Sequence, residues 1–256
     1  MTQIPPADPA DRYRAPALDK GLDILELLSE QSDGLTRAEI VKSMGRSPSE
    51  IYRMLERLVA RDYVVRSTGG DRYALSMKLF VLANRHPPVR RIVAQALPLM
   101  DVFARDARQS CHLVVPDRGF AVVAAQASPP EVWEFRVRVG AQLDLLETGS
   151  GQTLLAFQNP LRRAETLALW GGADEEARLC RIESELAEVR TQGYRLADSA
   201  QLKGVIDISV PIREPEGNAI AVLTCPYLGR PGPDSSPDVQ EVLTRLRALS
   251  AQISLN

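Results

Sequence analysis

The sequence predicts an α+β protein with two domains, and three observations lead to that prediction. Short amphipathic helices are followed directly by a strand–turn–strand pattern in residues 15–76. Helices and antiparallel strand pairs then mix in residues 89–256, and the prolines at 87 and 88 interrupt helical structure between the two halves. A chain of 256 residues is long enough for two modest domains.

The composition is that of a soluble globular protein, with 45% hydrophobic and 25% charged residues. No run of 18 apolar residues is present, so we predict neither a transmembrane helix nor a membrane partner. Residues 1–14 are polar and rich in proline, without the apolar core of a signal peptide, and are expected to form a disordered arm. Three widely spaced cysteines, Cys111, Cys180 and Cys225, suit reduced thiols in a cytoplasmic protein.

Two amphipathic helices are predicted at the start of the first domain. Leucines recur at helical spacing over residues 17–28 and form one apolar face. Thr36 and Glu39 then form a capping box that opens a short helix from residue 37 to residue 44. Gly45 ends that helix, so the next one must begin after a tight turn.

The third helix, in residues 46–63, has an apolar stripe and an opposite polar face. The stripe repeats at i, i+3, i+4, i+7 and i+8 and consists of Ile51, Met54, Leu55, Leu58 and Val59. The polar face consists of Ser49, Glu50, Arg53, Glu56 and Arg57. Such a face offers the donors and acceptors with which a helix reads base edges in a major groove. An ordinary surface helix has the same pattern, so the flanking segments decide between the two interpretations.

A hairpin directly follows the third helix. Residues 63–66 and 72–75 have strand composition and flank a Gly-Gly turn. Three helices with a tight turn before the third, followed by a hairpin, form a winged helix-turn-helix. Residues 35–86 also hold 10 Lys and Arg against 5 Asp and Glu, although the whole chain has a net charge of −2. Local positive charge is enough to attract phosphates, so we predict a DNA-binding domain over residues 15–76.

The contacts to DNA are expected from the third helix and its neighbours. Arg53 or Arg57 can make a bidentate contact to guanine, and Glu50 can accept from cytosine N4. The alternative for Arg53 is an ion pair with Glu50 or Glu56 within the helix. Arg37, Tyr52 and Arg72 suit phosphates, which set the register of a protein on DNA. The complete predicted set is Arg37, Ser47, Ser49, Glu50, Tyr52, Arg53, Arg57 and Arg72.

The remaining chain is expected to form a linker helix over residues 77–88 and a second domain over residues 89–256. The helices of that domain are predicted at residues 89–108, 149–157, 161–169, 182–191 and 239–253. Its strands are predicted at residues 111–115, 120–125, 132–139, 205–212 and 219–225. Within residues 132–139, apolar and charged side chains alternate from residue 133 onward, which is typical of a half-buried antiparallel strand.

A candidate ligand pocket begins at the Gly149-Ser150-Gly151 stretch, which opens a helix. Free backbone N–H groups and the positive end of the helix dipole suit an anion there, and small residues do not obstruct it. Trp133, Phe135 and Leu146 are candidates for an apolar wall that favours an aromatic or aliphatic acid, and packing in the core is the alternative for the two aromatic residues. Asp207 either bonds a ligand hydroxyl or amine or faces solvent.

No catalytic residue, cofactor or metal site is predicted. Cys111 and His112 are an adjacent nucleophile and base, but neighbours along a strand point to opposite faces and cannot act together. Motifs of hydrolases, metalloproteases, P-loop proteins and dinucleotide-binding proteins are absent from the sequence, and two histidines with three scattered cysteines lack metal-ligand spacing. Two alternatives to a ligand-responsive regulator stay open: a GAF-like hydrolase, and a DNA-binding protein whose second domain only oligomerises.

These segments together resemble the IclR family of bacterial transcriptional regulators, from about residue 17 to residue 252. The matching stretches are KGLDILELL, LTRAEIVKSMGRSPSEIYRMLERLVARDYV, RYALS, GSGQTLLAF, QGY, GVIDISVPI and NAIAVLT. The resemblance implies a winged helix-turn-helix domain joined by a helical linker to a GAF-like effector-binding domain with a curved antiparallel sheet. It also implies homodimers or dimers of dimers that bind double-stranded operator DNA and respond to a small organic or aromatic acid. A repressor is favoured over an activator.

The resemblance also implies roles for single residues. Arg53 matches the typical arginine of the recognition helix, and Ser49 matches the serine at its start. Gly149 and Ser150 match the loop and helix N-terminus that hold the carboxylate of the ligand.

Some positions depart from the family pattern. Asp207 and Cys225 match positions on two late strands that line the pocket floor, and the position of Asp207 is often small or a cysteine in acid-binding members. Ser199 and Ala200 stand where one or two acidic residues are usual, and Lys203 precedes a glycine. We therefore expect an effector that differs from the short oxo acids of the best-known members.

Overall fold

The computed structural model describes residues 15–85, 87–132, 134–170, 173–229 and 237–254. The chain divides into two compact units, residues 1–86 and residues 87–256. The arm expected at residues 1–14 and the pocket candidate Trp133 lie outside the described residues. Within the described ranges, no helix is both long enough and apolar enough to cross a membrane.

The first unit is a helical bundle with a small antiparallel sheet. Its elements are α1 (Pro16–Ser29), β1 (Leu35–Thr36), α2 (Arg37–Met44), α3 (Pro48–Ala60), β2 (Val64–Arg66), β3 (Arg72–Leu75) and α4 (Lys78–Arg85). The sheet has the order β1-β3-β2, and β2 and β3 form the predicted hairpin. The winged helix-turn-helix is therefore confirmed, with one strand, β1, that the sequence does not predict.

The core of the first unit forms where the apolar stripes of α1, α2 and α3 meet. Ile24, Ile40, Ile51 and Leu55 are completely buried, and Tyr73 from β3 packs against them. Burying each of these aliphatic side chains stabilises the unit by about 1.5–3 kcal/mol relative to leaving it exposed. Because the apolar stripe of α3 is buried in this core, the polar face of the helix is exposed.

The helices α2 and α3 are capped at their N-termini, and the cap of α2 is the one that the sequence predicts. Glu39 accepts from the Thr36 N–H at 2.7 Å, and the Thr36 hydroxyl accepts from the Glu39 N–H at 3.2 Å. Gly45 ends α2 with a φ of 59°, which glycine adopts without strain. Ser47 is the N-cap of α3, and Pro48 occupies its first turn.

The second unit contains a six-stranded sheet with helices on both faces. Its elements are α5 (Pro87–Ala107), β4 (Cys111–Asp117), β5 (Phe120–Ala127), β6 (Gln142–Asp144), α6 (Gly149–Ala156), α7 (Pro160–Trp170), α8 (Ala173–Gln192), β7 (Arg195–Asp198), β8 (Ile206–Arg213), β9 (Ala219–Tyr227) and α9 (Val239–Ile253). The strand order is β6-β5-β4-β9-β8-β7, antiparallel throughout. The sheet is curled.

Each face of this sheet has its own core. On one face, residues of α5 and α9 pack against alternate strand residues such as Leu113, Ile208 and Leu223. On the other face, α6 and α8 pack against Val114 and Val222. Helices cover both faces of the sheet, so side chains on both faces of a strand are buried. This is why the sequences of β4, β8 and β9 are nearly continuous apolar runs.

The strand predicted over residues 132–139 is wrong. Residues 134–139 form no strand, and the valines at the two ends of the segment are 91% and 57% exposed. The side chain of Gln126 on β5 takes the place of a backbone ladder, because it donates to the Phe135 carbonyl at 3.3 Å and accepts from the Val137 N–H at 3.4 Å. The chain returns to β5 only at Gly140, whose N–H donates to the backbone at 2.8 Å, and β6 follows.

Other boundaries differ in length. The linker helix expected at residues 77–88 corresponds to α4, which ends at Arg85, and α5 begins already at Pro87. Proline is compatible with the first turn of a helix, so this residue starts α5 instead of interrupting it. The helix predicted at residues 182–191 is the second half of α8, and the short strands β6 and β7 are not predicted.

Candidate functional site

The exposed face of α3 carries the predicted base-reading residues. Ser49, Tyr52, Arg53 and Arg57 are all exposed, because the opposite side of the helix is buried in the core. Within the described part of the chain, Arg53 forms no hydrogen bond or ion pair, so the alternative ion pair within the helix is not formed. A guanidinium group without protein partners on an open helix face is suited to bind a guanine edge or a phosphate.

Glu50 has a different environment from the one expected. Its carboxylate accepts from the Ser47 N–H at 3.3 Å and from the Ser47 hydroxyl at 2.7 Å, and it pairs with Lys20 on α1. The hydrogen bond from Lys20, followed by those from Ser47, lowers the pKa of Glu50 to about 2. Glu50 and Ser47 thus form the cap of α3, and Glu50 connects this helix to α1. The contact of Glu50 with cytosine stays a prediction.

Arg72 also forms hydrogen bonds within the protein. Its guanidinium donates to the carbonyl of Asp33 at 3.2 Å and to that of Gly34 at 3.0 Å, so it fastens β3 to the segment before β1. Arg37, in contrast, lies with its guanidinium carbon 5.4 Å from the centre of the Tyr52 ring. This cation–π contact places Arg37 beside the exposed face of α3, where a phosphate contact is possible.

Two further arginines border this surface and were not in the predicted set. Arg46 is exposed in the turn directly before α3. Arg66, at the end of β2 in the wing, lies over the Tyr73 ring at 5.5 Å and donates to the carbonyl of Gly70. The turn and the hairpin place these two arginines at the edge of the α3 face. The sequence signal that could have identified them is the local excess of Lys and Arg in residues 35–86.

The second unit has a small cavity on the α6 side of the sheet, with a volume of about 60 Å³. Four predicted pocket residues, Phe135, Gly149, Ser150 and Asp207, line it. The cavity is also lined by residues that the sequence did not single out as pocket residues: His112, Val137, Leu143, Thr148, Ser199, Gln201, Leu202, Val205, Thr224 and Pro226.

The N-terminus of α6 points free backbone donors at this cavity. The N-cap Thr148 accepts from the Gly151 N–H at 3.0 Å through its hydroxyl and from the Gln152 N–H at 2.9 Å through its carbonyl. The N–H groups of Gly149 and Ser150 have no partner among the described residues. Two free N–H groups at the positive end of a helix dipole form a site suited to a carboxylate.

A buried chain of hydrogen bonds starts at the same helix end. The Ser150 hydroxyl lies 2.8 Å from the Thr224 hydroxyl, which lies 2.9 Å from the Ser209 hydroxyl. The other neighbour of Ser150 is His112, whose Nε2 is 3.2 Å from the hydroxyl. Burial lowers the pKa of His112 to about 4, so its imidazole is neutral at pH 7. Its Nδ1 has no hydrogen-bond partner in the described structure.

An acidic and a basic residue, Asp207 and Arg195, lie beside Gly149 at the start of α6. Burial raises the pKa of Asp207, while a hydrogen bond from Ser199 and the positive charge of Arg195 act in the opposite direction. Arg195 donates from Nε to Gln152 on α6 at 2.7 Å, and its buried Nη1 has no partner among the described residues. The partly buried Asp207 side chain lines the cavity, and its bond to a ligand hydroxyl or amine stays a prediction.

Two predicted pocket residues lie outside the cavity lining. Cys225 is completely buried on the opposite face of β9, against α5 and α9, because its neighbours Thr224 and Pro226 face the cavity. Leu146 is buried in the core between the sheet and α6 instead of forming a pocket wall. The same alternation separates Cys111, which is in the core, from His112, as the sequence predicts.

Comparison with known proteins decides the family. A family model described as the C-terminal part of the bacterial transcriptional regulator IclR matches residues 88–255, which is more than half of the chain. A second model, the IclR helix-turn-helix domain, matches residues 17–68. The chain belongs to the IclR family.

Individual members of the IclR family match over most of their length. The HTH-type transcriptional regulator XynR of Escherichia coli K12 is 28% identical over 219 residues, which cover 81% of this chain and 84% of XynR. BhcR of Paracoccus denitrificans, also an HTH-type transcriptional regulator, is 25% identical over 242 residues, or 91% of this chain and 82% of BhcR. A crystal structure of an IclR homologue from Microbacterium hydrocarbonoxydans, complexed with 4-hydroxybenzoate, superposes with a TM-score of 0.71 at 25% identity and covers 93% of this chain and 97% of the homologue.

This IclR-family chain is therefore a transcriptional regulator with a helix-turn-helix DNA-binding domain and an effector-binding domain. The proteins that match it are transcriptional regulators and not enzymes, so the hydrolase alternative is excluded. The curled sheet with helices on both faces is the fold of the second domain in the matching structures.

Proposed function

We propose that this regulator is a cytoplasmic repressor that binds a partly palindromic operator as a homodimer or dimer of dimers and responds to a small organic acid. The observation that carries the proposal is the pairing of two open binding surfaces in one chain. One is the exposed face of α3, with Arg53 free of protein partners. The other is the cavity at α6, with two free N–H groups at its end.

On the DNA side, α3 enters the major groove and the wing lies against the backbone. Arg53 reads a guanine edge, and Ser49 and Arg57, exposed on the same face, add contacts to bases or phosphates. Arg37, beside the Tyr52 ring, contacts a phosphate. Sequence preference then depends mainly on Arg53, while the other cations set affinity and register.

An apolar surface on the first unit supports the proposed homodimer. Leu18 and Leu22 on α1 and Leu79 and Leu82 on α4 are between 37% and 61% exposed, and they border a groove of about 500 Å³ between α1, α3 and α4. A second copy related by a two-fold axis would cover this surface with the same surface of its own. Such a dimer presents two copies of α3 to two half-sites of an inverted repeat.

The cavity supports the proposed response to an organic acid. Free N–H groups at the start of α6 bind the carboxylate, and Phe135, Val137 and Leu143 supply apolar contacts. The homologue from Microbacterium hydrocarbonoxydans is complexed with an aromatic acid, 4-hydroxybenzoate. Binding is proposed to shift the population of arrangements in which the linker helices α4 and α5 hold the DNA-binding domains, and so to change operator affinity.

A pair of substitutions tests the two surfaces separately. The operator fragment is first selected from genomic DNA with the purified chain, and its affinity is measured by fluorescence anisotropy with and without small organic acids. Ser150→Leu fills the cavity and is expected to abolish the response to acid while operator binding is kept. Arg53→Ala is expected to lose operator affinity while a thermal shift with acid is kept.

Either of two results would contradict the proposal. If Ser150→Leu still responds to acid, the cavity is not the effector site. If no acid from a broad panel shifts the unfolding temperature of the unmodified chain, the second domain serves for oligomerisation, which is the remaining alternative.

A further inference from the structure

The cavity has an acidic acceptor directly beside its anion-binding end. A Cβ atom added at Gly149 would lie 3.0 Å from the Cβ of Asp207, so this side chain begins within van der Waals distance of the first residue of α6. A carboxylate bound to the N–H groups of Gly149 and Ser150 would therefore have the carboxyl group of Asp207 as a close neighbour.

A simple carboxylic acid adds no donor to Asp207, whose only hydrogen bond among the described residues comes from Ser199. Two carboxylates in a partly buried site repel each other, and an acceptor that stays unpaired after ligand binding costs free energy. Arg195 offsets part of the charge on Asp207, and its Nη1, which has no partner among the described residues, would lie 3.2 Å from a Cβ atom added at Gly149. Its side chain does not line the cavity, where Asp207 itself is accessible to a ligand. A carboxylate has four acceptor positions, so a ligand that also supplies a donor to Asp207 is expected to bind more tightly than one that does not.

A second, independent feature indicates that the cavity is built for a polar ligand. His112 lines it with only 5% of its surface exposed, and the Nδ1 atom of its ring has no hydrogen-bond partner in the described structure. Native proteins pair most buried polar atoms, so an unpaired ring nitrogen in the wall of a cavity points to a ligand group. Leu202 and Val205 complete the lining with apolar contacts.

We propose that the effector is a carboxylic acid with a hydroxyl or ammonium group on the carbon next to the carboxylate, and that Asp207 accepts a hydrogen bond from this group. Gly149 and Ser150 bind the carboxylate, and His112 offers its free nitrogen to a further polar atom of the ligand. This inference rests on the proposed function, because it assigns the ligand to the same cavity.

Three acids of nearly equal size test the proposal by isothermal titration calorimetry with the full-length chain. They are 3-methylbutanoate, which has no donor, 2-hydroxy-3-methylbutanoate and valine. A hydrogen bond to a charged acceptor predicts that at least one of the two substituted acids binds roughly tenfold to a hundredfold more tightly than 3-methylbutanoate. The substitution Asp207→Val removes the acceptor with a residue that suits a strand, and it is expected to abolish the difference.

Asp207→Asn distinguishes a hydroxyl donor from an ammonium donor. It also replaces Asp207→Val as the test variant if Asp207→Val does not unfold cooperatively. A neutral amide oxygen still accepts from a hydroxyl, so the preference for the hydroxy acid is expected to persist, but it loses the ion pair with an ammonium group and the preference for valine is expected to fall.

Several outcomes would overturn the proposal, and they separate it from the proposed function. If 3-methylbutanoate binds as tightly as the other two acids, or if the preference survives in Asp207→Val, Asp207 is not the acceptor, although the cavity remains an acid site. If none of the three acids binds, this inference fails, and the broad panel of acids then decides separately whether the cavity is an effector site. Operator binding by the same preparation then shows whether the DNA-binding part of the proposed function still holds.

Discussion

Arg53 and Glu50 lie three residues apart on α3, yet their surroundings give them different tasks. Glu50 accepts from the backbone and hydroxyl of Ser47 and pairs with Lys20, so its carboxylate holds α3 in place. Arg53 has no partner among the described residues and projects from the exposed face. Glu50 thus stabilises the position of α3, whereas recognition of DNA is the role proposed for Arg53.

This separation predicts opposite effects for two substitutions. Arg53→Ala is expected to weaken operator binding about tenfold to a hundredfold, because a bidentate contact to guanine is lost, with little change in thermal stability. Glu50→Gln is expected to lower the unfolding temperature by removing a charged cap and ion pair, while the preferred operator sequence stays the same. Anisotropy with the operator and with a scrambled fragment, at constant salt, measures affinity and sequence preference, and thermal denaturation measures the unfolding temperature.

Arg138→Ala is the matched control for charge. Arg138 is exposed in the second unit, and its removal is expected to leave operator affinity unchanged. Equal affinity of Arg53→Ala and the unmodified chain for the operator would show that Arg53 does not contact DNA.

His112 predicts a pH dependence of stability in the second unit. Its pKa is about 4 in the folded protein because of burial, against a normal value of 6.5. As the pH falls from 6.5 towards 4, the unfolded chain takes up a proton that the folded chain does not, so stability decreases by up to about 3 kcal/mol. His112→Gln keeps an amide near the Ser150 hydroxyl but cannot take up the proton.

Urea denaturation followed by tryptophan fluorescence measures this effect, since both tryptophans lie in the second unit. The stability difference between the unmodified chain and His112→Gln is expected to shrink as the pH falls from 7.5 to about 4. A difference that stays constant over this range would mean that His112 is not a buried neutral base.

At the scale of elements, α6 depends on close contact between its first turn and the chain before it. A Cβ atom added at Gly151 would lie 2.4 Å from the Cα of Leu145 and 2.6 Å from the carbonyl oxygen of Asp144. These are backbone atoms that cannot move aside cheaply, so the glycine lets α6 dock with its N-terminus at the cavity. The backbone donors of the site therefore depend on this residue.

Gly151→Ala is accordingly expected to destabilise the second unit by about 1–3 kcal/mol and to weaken acid binding. Gly69→Ala in the wing is the control, because the nearest atom to its added Cβ is 3.5 Å away and its backbone is not left-handed. Urea midpoints of the two variants provide the comparison. Equal midpoints would contradict the close docking of α6.

Elements with local signals could be predicted from the sequence. The bounds of α2 and α9 follow from caps and periodicity, and the hairpin β2–β3 follows from its turn. The segment 132–139 alternates like a strand but lies where the Gln126 side chain replaces the ladder, which periodicity alone does not reveal. The strands β1, β6 and β7, with two to four residues each, are too short for a periodic pattern.

The candidate pocket was predicted less completely, because strand side chains alternate between faces. Gly149, Ser150 and Asp207 follow from the glycine-rich helix start and the family resemblance, and Phe135 was predicted as part of an apolar wall. Cys225 was placed one residue out of phase with Thr224, and in a strand a shift of one residue reverses the face. The partners of Ser150 come from β4 and β9, whose adjacency is set by the order of the sheet and not by local sequence.

At the scale of the whole molecule, the two units serve one function through separate surfaces. The local excess of positive charge lies in residues 35–86, and the buried polar cavity lies in the second unit. In a two-fold dimer two copies of α3 would read half-sites about 34 Å apart, which is one turn of B-DNA. Each half-site alone would bind weakly, so operator affinity depends on the spacing that the dimer imposes.

Whether this chain recognises a specific operator is tested by selecting genomic DNA fragments with the purified full-length chain and sequencing them after binding at low and at higher salt. We expect a recurrent inverted repeat with half-sites about ten base pairs apart that survives the higher salt and is lost with Arg53→Ala. Weak binding that disappears at higher salt, with no sequence common to the bound fragments, would contradict the proposed function. The face of α3 would then be only a basic surface and would not recognise an operator sequence.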